Sequence, residues 1–291
     1  MVMIKKIAGI FLISYLFIAT ASCCLVFTTY FLLGIELRIT ALSALVFFST
    51  LLVYHFHKIS TLFEGISFSR SSILEKGKLV PAFTMTMIIV AAIGMIISIM
   101  TLQPKTILLL IPTGLITFAY SVPVLKLKGK KKRLREIFLV KITSLAFIWS
   151  LITVTLPMVD MGVSVFTTSS IFIFTERFLF MYAICVPFEI RDMEQEKKWG
   201  NMTLPQRIGV TWCKITGLLA LLLFMILVWI QFGNVPESIY HILVPQCITA
   251  IVAALLIVFS NHHRSKYYFR IFVDGTMQLQ LILLLLFNHF G

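Results

Sequence analysis

Long apolar runs separated by short polar segments repeat along the whole chain. A helix that crosses the hydrocarbon core of a bilayer needs about 20 consecutive, mainly apolar residues. Runs of that kind lie near 7–33, 39–55, 82–102, 105–121, 137–157, 169–190, 209–232, 239–259 and 269–289. Turn-forming residues mark the breaks: Gly34, Pro104, Pro123 with Gly129, Pro157 with Gly162, Gly200 with Pro205, and Gly233 with Pro236. The pattern predicts an all-α integral membrane protein, a single polytopic domain over 1–291 with about nine transmembrane helices. The first run follows Lys5 and Lys6 as a signal peptide would. It continues to Leu33, long enough to span, and so reads as a retained helix.

Composition agrees with the pattern. Hydrophobic residues make up 59% of the chain and charged residues only 13%. A soluble domain carries about 25% charged residues. The net charge of +13 raises the question of nucleic acid. The Lys and Arg residues sit in short segments between apolar runs, however, which argues for membrane topology instead. Nearly all of them fall on one set of alternate segments, with Arg38 and Lys105 on the other set. Cytoplasmic loops carry excess Lys and Arg. The expected orientation is therefore N-terminus cytoplasmic and C-terminus outside, with an odd number of spans. The long polar segments near 56–80, 122–136 and 191–207 then face the cytoplasm, and the bundle is expected to enclose a cavity open to that side. A bacterial inner membrane is the expected location, since organelle-targeting features are missing. Cys23, Cys24, Cys185, Cys213 and Cys247 lie in or beside apolar runs and read as small core residues.

The candidate chemistry begins where the sixth run ends. Glu189, Asp192 and Glu196 fall on one face if the helix continues past Ile190. Clustered carboxylates repel unless a cation sits among them, and Mg²⁺ suits a few carboxylate oxygens plus phosphates. The alternative is a solvated helix end paired with Lys197 and Lys198. Pro187, one turn before Asp192, removes a backbone donor. Thr203–Leu204–Pro205–Gln206 fits a capping box that starts a new helix. The basic run from Lys126 to Arg135 suits either an anion such as diphosphate or anionic lipid. Lys141 lies inside a span, where a charge calls for a partner. The same holds for Glu176 with Arg177, adjacent residues that cannot share a face, and for Asp274 with Gln278. His55 and His57 point apart on a helix and make a poor chelate. A P-loop, a GxGxxG followed by an acid, zinc-ligand spacing and a GxSxG elbow are all missing from the sequence.

Together these residues resemble the UbiA superfamily of intramembrane prenyltransferases. The resemblance rests on the nine-run pattern, on Tyr120–Ser121–x–Pro123–x–Leu125–Lys126, and on Arg191–Asp192–x–Glu194–x–Glu196–x–x–x–Gly200–x–x–Thr203–Leu204–Pro205–x–x–x–Gly209. The last of these is similar to the family's second Asp-rich motif and its tail. The resemblance implies transfer of a prenyl group from a prenyl diphosphate to an acceptor, with Mg²⁺ as cofactor. It implies Asp192 and Glu196 as metal ligands, joined on spacing by Glu189. It implies Lys126, Lys141, Arg191 and Tyr120 at the diphosphate. The first motif of the family, Asn-Asp with two further Asp residues, has no counterpart. The corresponding stretch, 53–64, holds His55, His57 and Lys58, and its one acid is Glu64. His55 and Lys58 are the expected substitutes for metal charge there. The alternative expectation is a non-catalytic membrane protein that binds an isoprenoid, quinone or other lipid in the same cavity.

Overall fold

The computed structural model describes residues 15–63, 82–122, 125–127, 130–137, 139–198 and 200–290. The described chain is helical except for one small hairpin, and it packs as two compact units. In chain order the elements are α1 (Leu16–Leu32), α2 (Ala41–Phe63), α3 (Ala82–Met100), α4 (Pro104–Ser121), β1 (Leu125–Leu127), β2 (Lys130–Lys132), α5 (Val140–Asp160), α6 (Thr168–Lys198), α7 (Leu204–Ile208), α8 (Val210–Phe232), α9 (Pro236–Val258) and α10 (Tyr268–His289).

Seven of these helices, α3–α6 and α8–α10, are long and apolar enough to cross a membrane. Leu16–Leu32 and Ala41–Phe56 are shorter apolar helices. The protein is thus an all-α membrane protein. Leu219, Leu222, Leu223 and Trp229 on α8 are exposed, as expected for side chains that meet lipid.

The first unit comprises Met1–Cys23 and Arg38–Leu102. Its core joins Ala19, Leu51 and Ala91, with Phe47 and Leu52 packed against them. A Cβ at Gly94 would lie 2.6 Å from the Phe48 ring, so α2 and α3 approach this closely only because residue 94 has no side chain. Small polar groups tie the start of α1 to α2. Thr50 Oγ1 donates to Ser22 Oγ at 3.2 Å, and Cys23 Sγ to Ser43 O at 3.2 Å. Reciprocal bonds between Thr40 and Ser43, 2.9 and 3.1 Å, cap the N-terminus of α2.

The second unit comprises Cys24–Leu37 and Gln103–Gly291. Here α6 is the central element and packs against both α5 and α8. Its residues Ile173, Phe180, Ile184, Val186 and Ile190 are buried, as are Phe224 and Val228 of α8. Pro157 shows how sequence and packing fit together within this unit. It has no N–H to offer the carbonyl of Thr153, four residues back. The hydroxyl of Thr29 on α1 donates to that carbonyl instead, at 2.6 Å. A π turn, Leu151–Thr155, sits at the same place.

The helix continues past Ile190, as a shared face for Glu189, Asp192 and Glu196 requires: α6 runs unbroken through Pro187 to Lys198. Its 31 residues reach about 46 Å at 1.5 Å per residue, against about 30 Å of hydrocarbon, so its last turns extend beyond the apolar slab. The basic segment near 122–136 contains a two-stranded antiparallel hairpin, with Lys126 paired with Lys131 in the backbone register.

Candidate functional site

The continuation of α6 past Ile190 places Glu189 and Glu196 two turns apart on one face. Lys141, in the first turn of α5, reaches both. Its Nζ lies 3.0 Å from Glu189 Oε1 and 3.1 Å from Glu196 Oε1. The three side chains are only 17%, 7% and 15% exposed. The other oxygen of Glu196 accepts a hydrogen bond from Asn201 Nδ2 at 2.8 Å.

Asn201 is delivered by the way α6 ends. Gly200 adopts φ +76°, its N–H donates to Lys197 O, and the N–H of Asn201 donates to Glu196 O. This is a Schellman stop, which turns the chain back over the last helical turn. The following helix α7 starts at Leu204. Gln206 Oε1 accepts the N–H of Thr203 at 3.1 Å, and Gln206 Nε2 donates to Met193 O on α6. The Thr203–Gln206 bond is the one the capping-box spacing predicts, and the Met193 bond ties the turn to the helix that carries the acids.

Asp192 is engaged differently. Its two oxygens face the guanidinium of its neighbour Arg191, Nε to Oδ1 at 2.6 Å and Nη2 to Oδ2 at 3.0 Å. That guanidinium also lies over the rings of Phe188 and Phe269, at 4.9 and 5.3 Å. Asp274, which follows the π turn Tyr268–Val273 in α10, lies within electrostatic range of Arg191 and Arg270. Tyr120 near the end of α4 lies within range of Glu189, Glu196 and Asp192. Glu194 meets His262 Nε2 at 3.3 Å.

The structure therefore brings together Tyr120, Lys141, Glu189, Arg191, Asp192 and Glu196. Asn201, Asp274, Phe188 and Phe269 belong with them and carried no signal of a role in the sequence, Asp274 excepted as a charge within a span. His55 is placed in the first unit, buried, with Nδ1 2.8 Å from Leu51 O and its ring edge-on to Tyr15. The side chains of Lys58 and Lys126 and the whole of Glu64 lie outside the described residues.

Mg²⁺ is tested here by its donor set. Among the described residues, no three His, Cys, Asp or Glu side chains gather as a ligand set. Glu189 and Glu196 converge, but on the ammonium of Lys141, and both oxygens of Asp192 are turned to Arg191. In this arrangement the carboxylates already have cations, and the donor set does not fit a divalent ion.

A second buried charged pair sits further up α6. Glu176 and Arg177 are each 3% exposed. Arg177 donates to Gln280 Oε1 at 3.3 Å, to Leu25 O at 3.2 Å and to Thr29 Oγ1 at 3.4 Å. Gln280 in turn donates to Gln246 at 2.7 Å. Glu176 Oε1 is buried without a hydrogen-bond partner among the described residues, and it lines a small cavity with Arg177, Gln246 and Gln280.

No family model matches the sequence, no curated protein matches it, and no solved structure matches its fold.

Proposed function

We propose that this chain is a divergent UbiA-type protein of nine spans in a bacterial inner membrane, N-terminus cytoplasmic and C-terminus outside. In this reading it holds the head of an isoprenoid diphosphate or related lipid phosphate at the polar end of α6. The tail lies among apolar helices. The observation that carries the reading is the meeting of Lys141 with Glu189 and Glu196, beside Tyr120, Arg191 and Asp192. Tyr120, Lys141 and Arg191, which the resemblance implies at the diphosphate, belong to the second unit together with these acids.

The charges fit an anionic head once the connecting segment is included. The acids of α6 are countered internally by Lys141 and Arg191. The segment that joins α4, with Tyr120, to α5, with Lys141, carries seven further Lys and Arg residues in the sequence, from Lys126 to Arg135. Lys and Arg near a membrane surface attract anionic heads by about 1 kcal/mol each.

Binding without turnover is favoured by the paired state of the carboxylates. Prenyl transfer is the second reading, favoured by the Arg191–Gly209 stretch and its helix–stop–helix geometry. Purified protein incubated with radiolabelled farnesyl diphosphate and Mg²⁺ separates them. Consumption that disappears in Asp192→Asn supports transfer. Saturable binding with no consumption, unchanged in Asp192→Asn, supports the binding protein. Neither binding nor consumption of this or other prenyl chain lengths sinks both.

A further inference from the structure

We infer that Lys141 is the resident cation of this site: its ammonium holds the place between Glu189 and Glu196 that a divalent metal would otherwise take, so that head-group binding here is metal-independent. The inference deepens the proposed lipid site and rests on that reading for its lipid arm alone.

Two observations carry it. First, Nζ bridges the two carboxylates at 3.0 and 3.1 Å, so one positive charge sits directly between two negative ones. A metal oxygen distance for Mg²⁺ is about 2.0–2.1 Å, so a metal and Lys141 cannot share this gap. Second, three of the other four carboxylate oxygens are engaged: Glu196 Oε2 by Asn201 at 2.8 Å, and both Asp192 oxygens by Arg191. A divalent ion would have to break these contacts and leave a largely buried ammonium without its partners, which is costly.

The arrangement also makes a positive demand. With Lys141 removed, Glu189 and Glu196 face each other as two largely buried carboxylates with no shared cation. That gap then becomes attractive to a small divalent ion.

The test uses Mn²⁺ as the probe, read by electron paramagnetic resonance on the full chain in detergent, without lipid. Wild type should show no saturable Mn²⁺ site, and Lys141→Met should acquire one per chain. Lys141→Arg should behave as wild type. A stoichiometric Mn²⁺ site in wild type, or none in folded Lys141→Met, overturns the inference. If Lys141→Met does not fold, the wild-type titration still decides, together with a chelation arm. There, EDTA should change the apparent Kd for farnesyl diphosphate by less than about twofold, and a loss of about tenfold or more overturns the inference. Failure of wild type to bind farnesyl diphosphate, with or without metal, counts against the lipid reading while the Mn²⁺ arm still judges Lys141. Binding that vanishes on chelation refutes metal independence while the lipid reading stands.

Discussion

Two charged clusters lie on the same helix, about 30 Å apart from Glu176 to Glu196 at 1.5 Å per residue. They solve the same electrostatic problem in different ways. In the lower cluster, carboxylates two turns apart on α6 share a face, and a lysine from α5 meets both at 3.0 and 3.1 Å. In the upper cluster Arg177 is held by neutral acceptors from α1 and α10. The lower site is a direct ion-pair network at the end of the apolar slab. The upper one is a hydrogen-bonded guanidinium in the bundle interior with a carboxylate oxygen left unpartnered among the described residues. A cation supplied by a neighbouring helix marks the lower cluster, and neutral acceptors mark the upper one.

The strongest way to break this contrast is Lys141→Met. Removing the shared cation strands the buried Glu189 and the partly buried Glu196 and should destabilise the folded protein by about 3 kcal/mol. Thermal or denaturant unfolding in detergent reads the loss. Glu189→Gln should cost clearly less, because it leaves Lys141 paired one-to-one with Glu196. Next comes Arg177→Met, which removes one donor group from three acceptors on two other helices. Interhelical hydrogen bonds in membrane proteins are worth about 0.6 kcal/mol each, up to about 1.7, so a loss of about 2 kcal/mol is expected. Thr29→Val deprives both Arg177 and the Thr153 carbonyl of one partner and should cost about 1 kcal/mol by the same measure. Smallest is Glu176→Gln. Since Oε1 lacks a partner among the described residues, the amide should change stability by less than about 1 kcal/mol. A loss there as large as for Lys141→Met would erase the distinction between the clusters.

The helices were legible in the sequence because a run of about 20 apolar residues is suited to little besides crossing a bilayer as a helix. All the runs have a helical counterpart among the described residues, seven of them long enough to span. The far end of α6 was less legible. Arg191–Lys198 is polar, and nothing in its hydropathy distinguishes a protruding helix from a loop. The spacing of Glu189, Asp192 and Glu196 anticipated a shared face, and Lys141 stood out as a charge inside a span. Their direct contact depends on how α5 packs against α6, which no local pattern encodes. Asp192 was grouped with the other acids by the same spacing, yet its oxygens turn to Arg191, because an adjacent guanidinium can fold back within reach. Asn201 was hidden for a similar reason. It reaches Glu196 only through the positive φ of Gly200, a position read in the sequence simply as a helix stop.

Whether Lys141, rather than solvent or metal, balances the acids at the end of α6 is decided by a double-mutant cycle. Unfolding free energies of wild type, Lys141→Met, Glu189→Gln and the double variant give the coupling between the two side chains. A direct, largely buried pair predicts a coupling of about 1–3 kcal/mol, with the double variant less damaged than the sum of the singles. Additivity within about 0.5 kcal/mol would mean that the two groups do not sense each other, and Lys141 would lose its role as the shared cation.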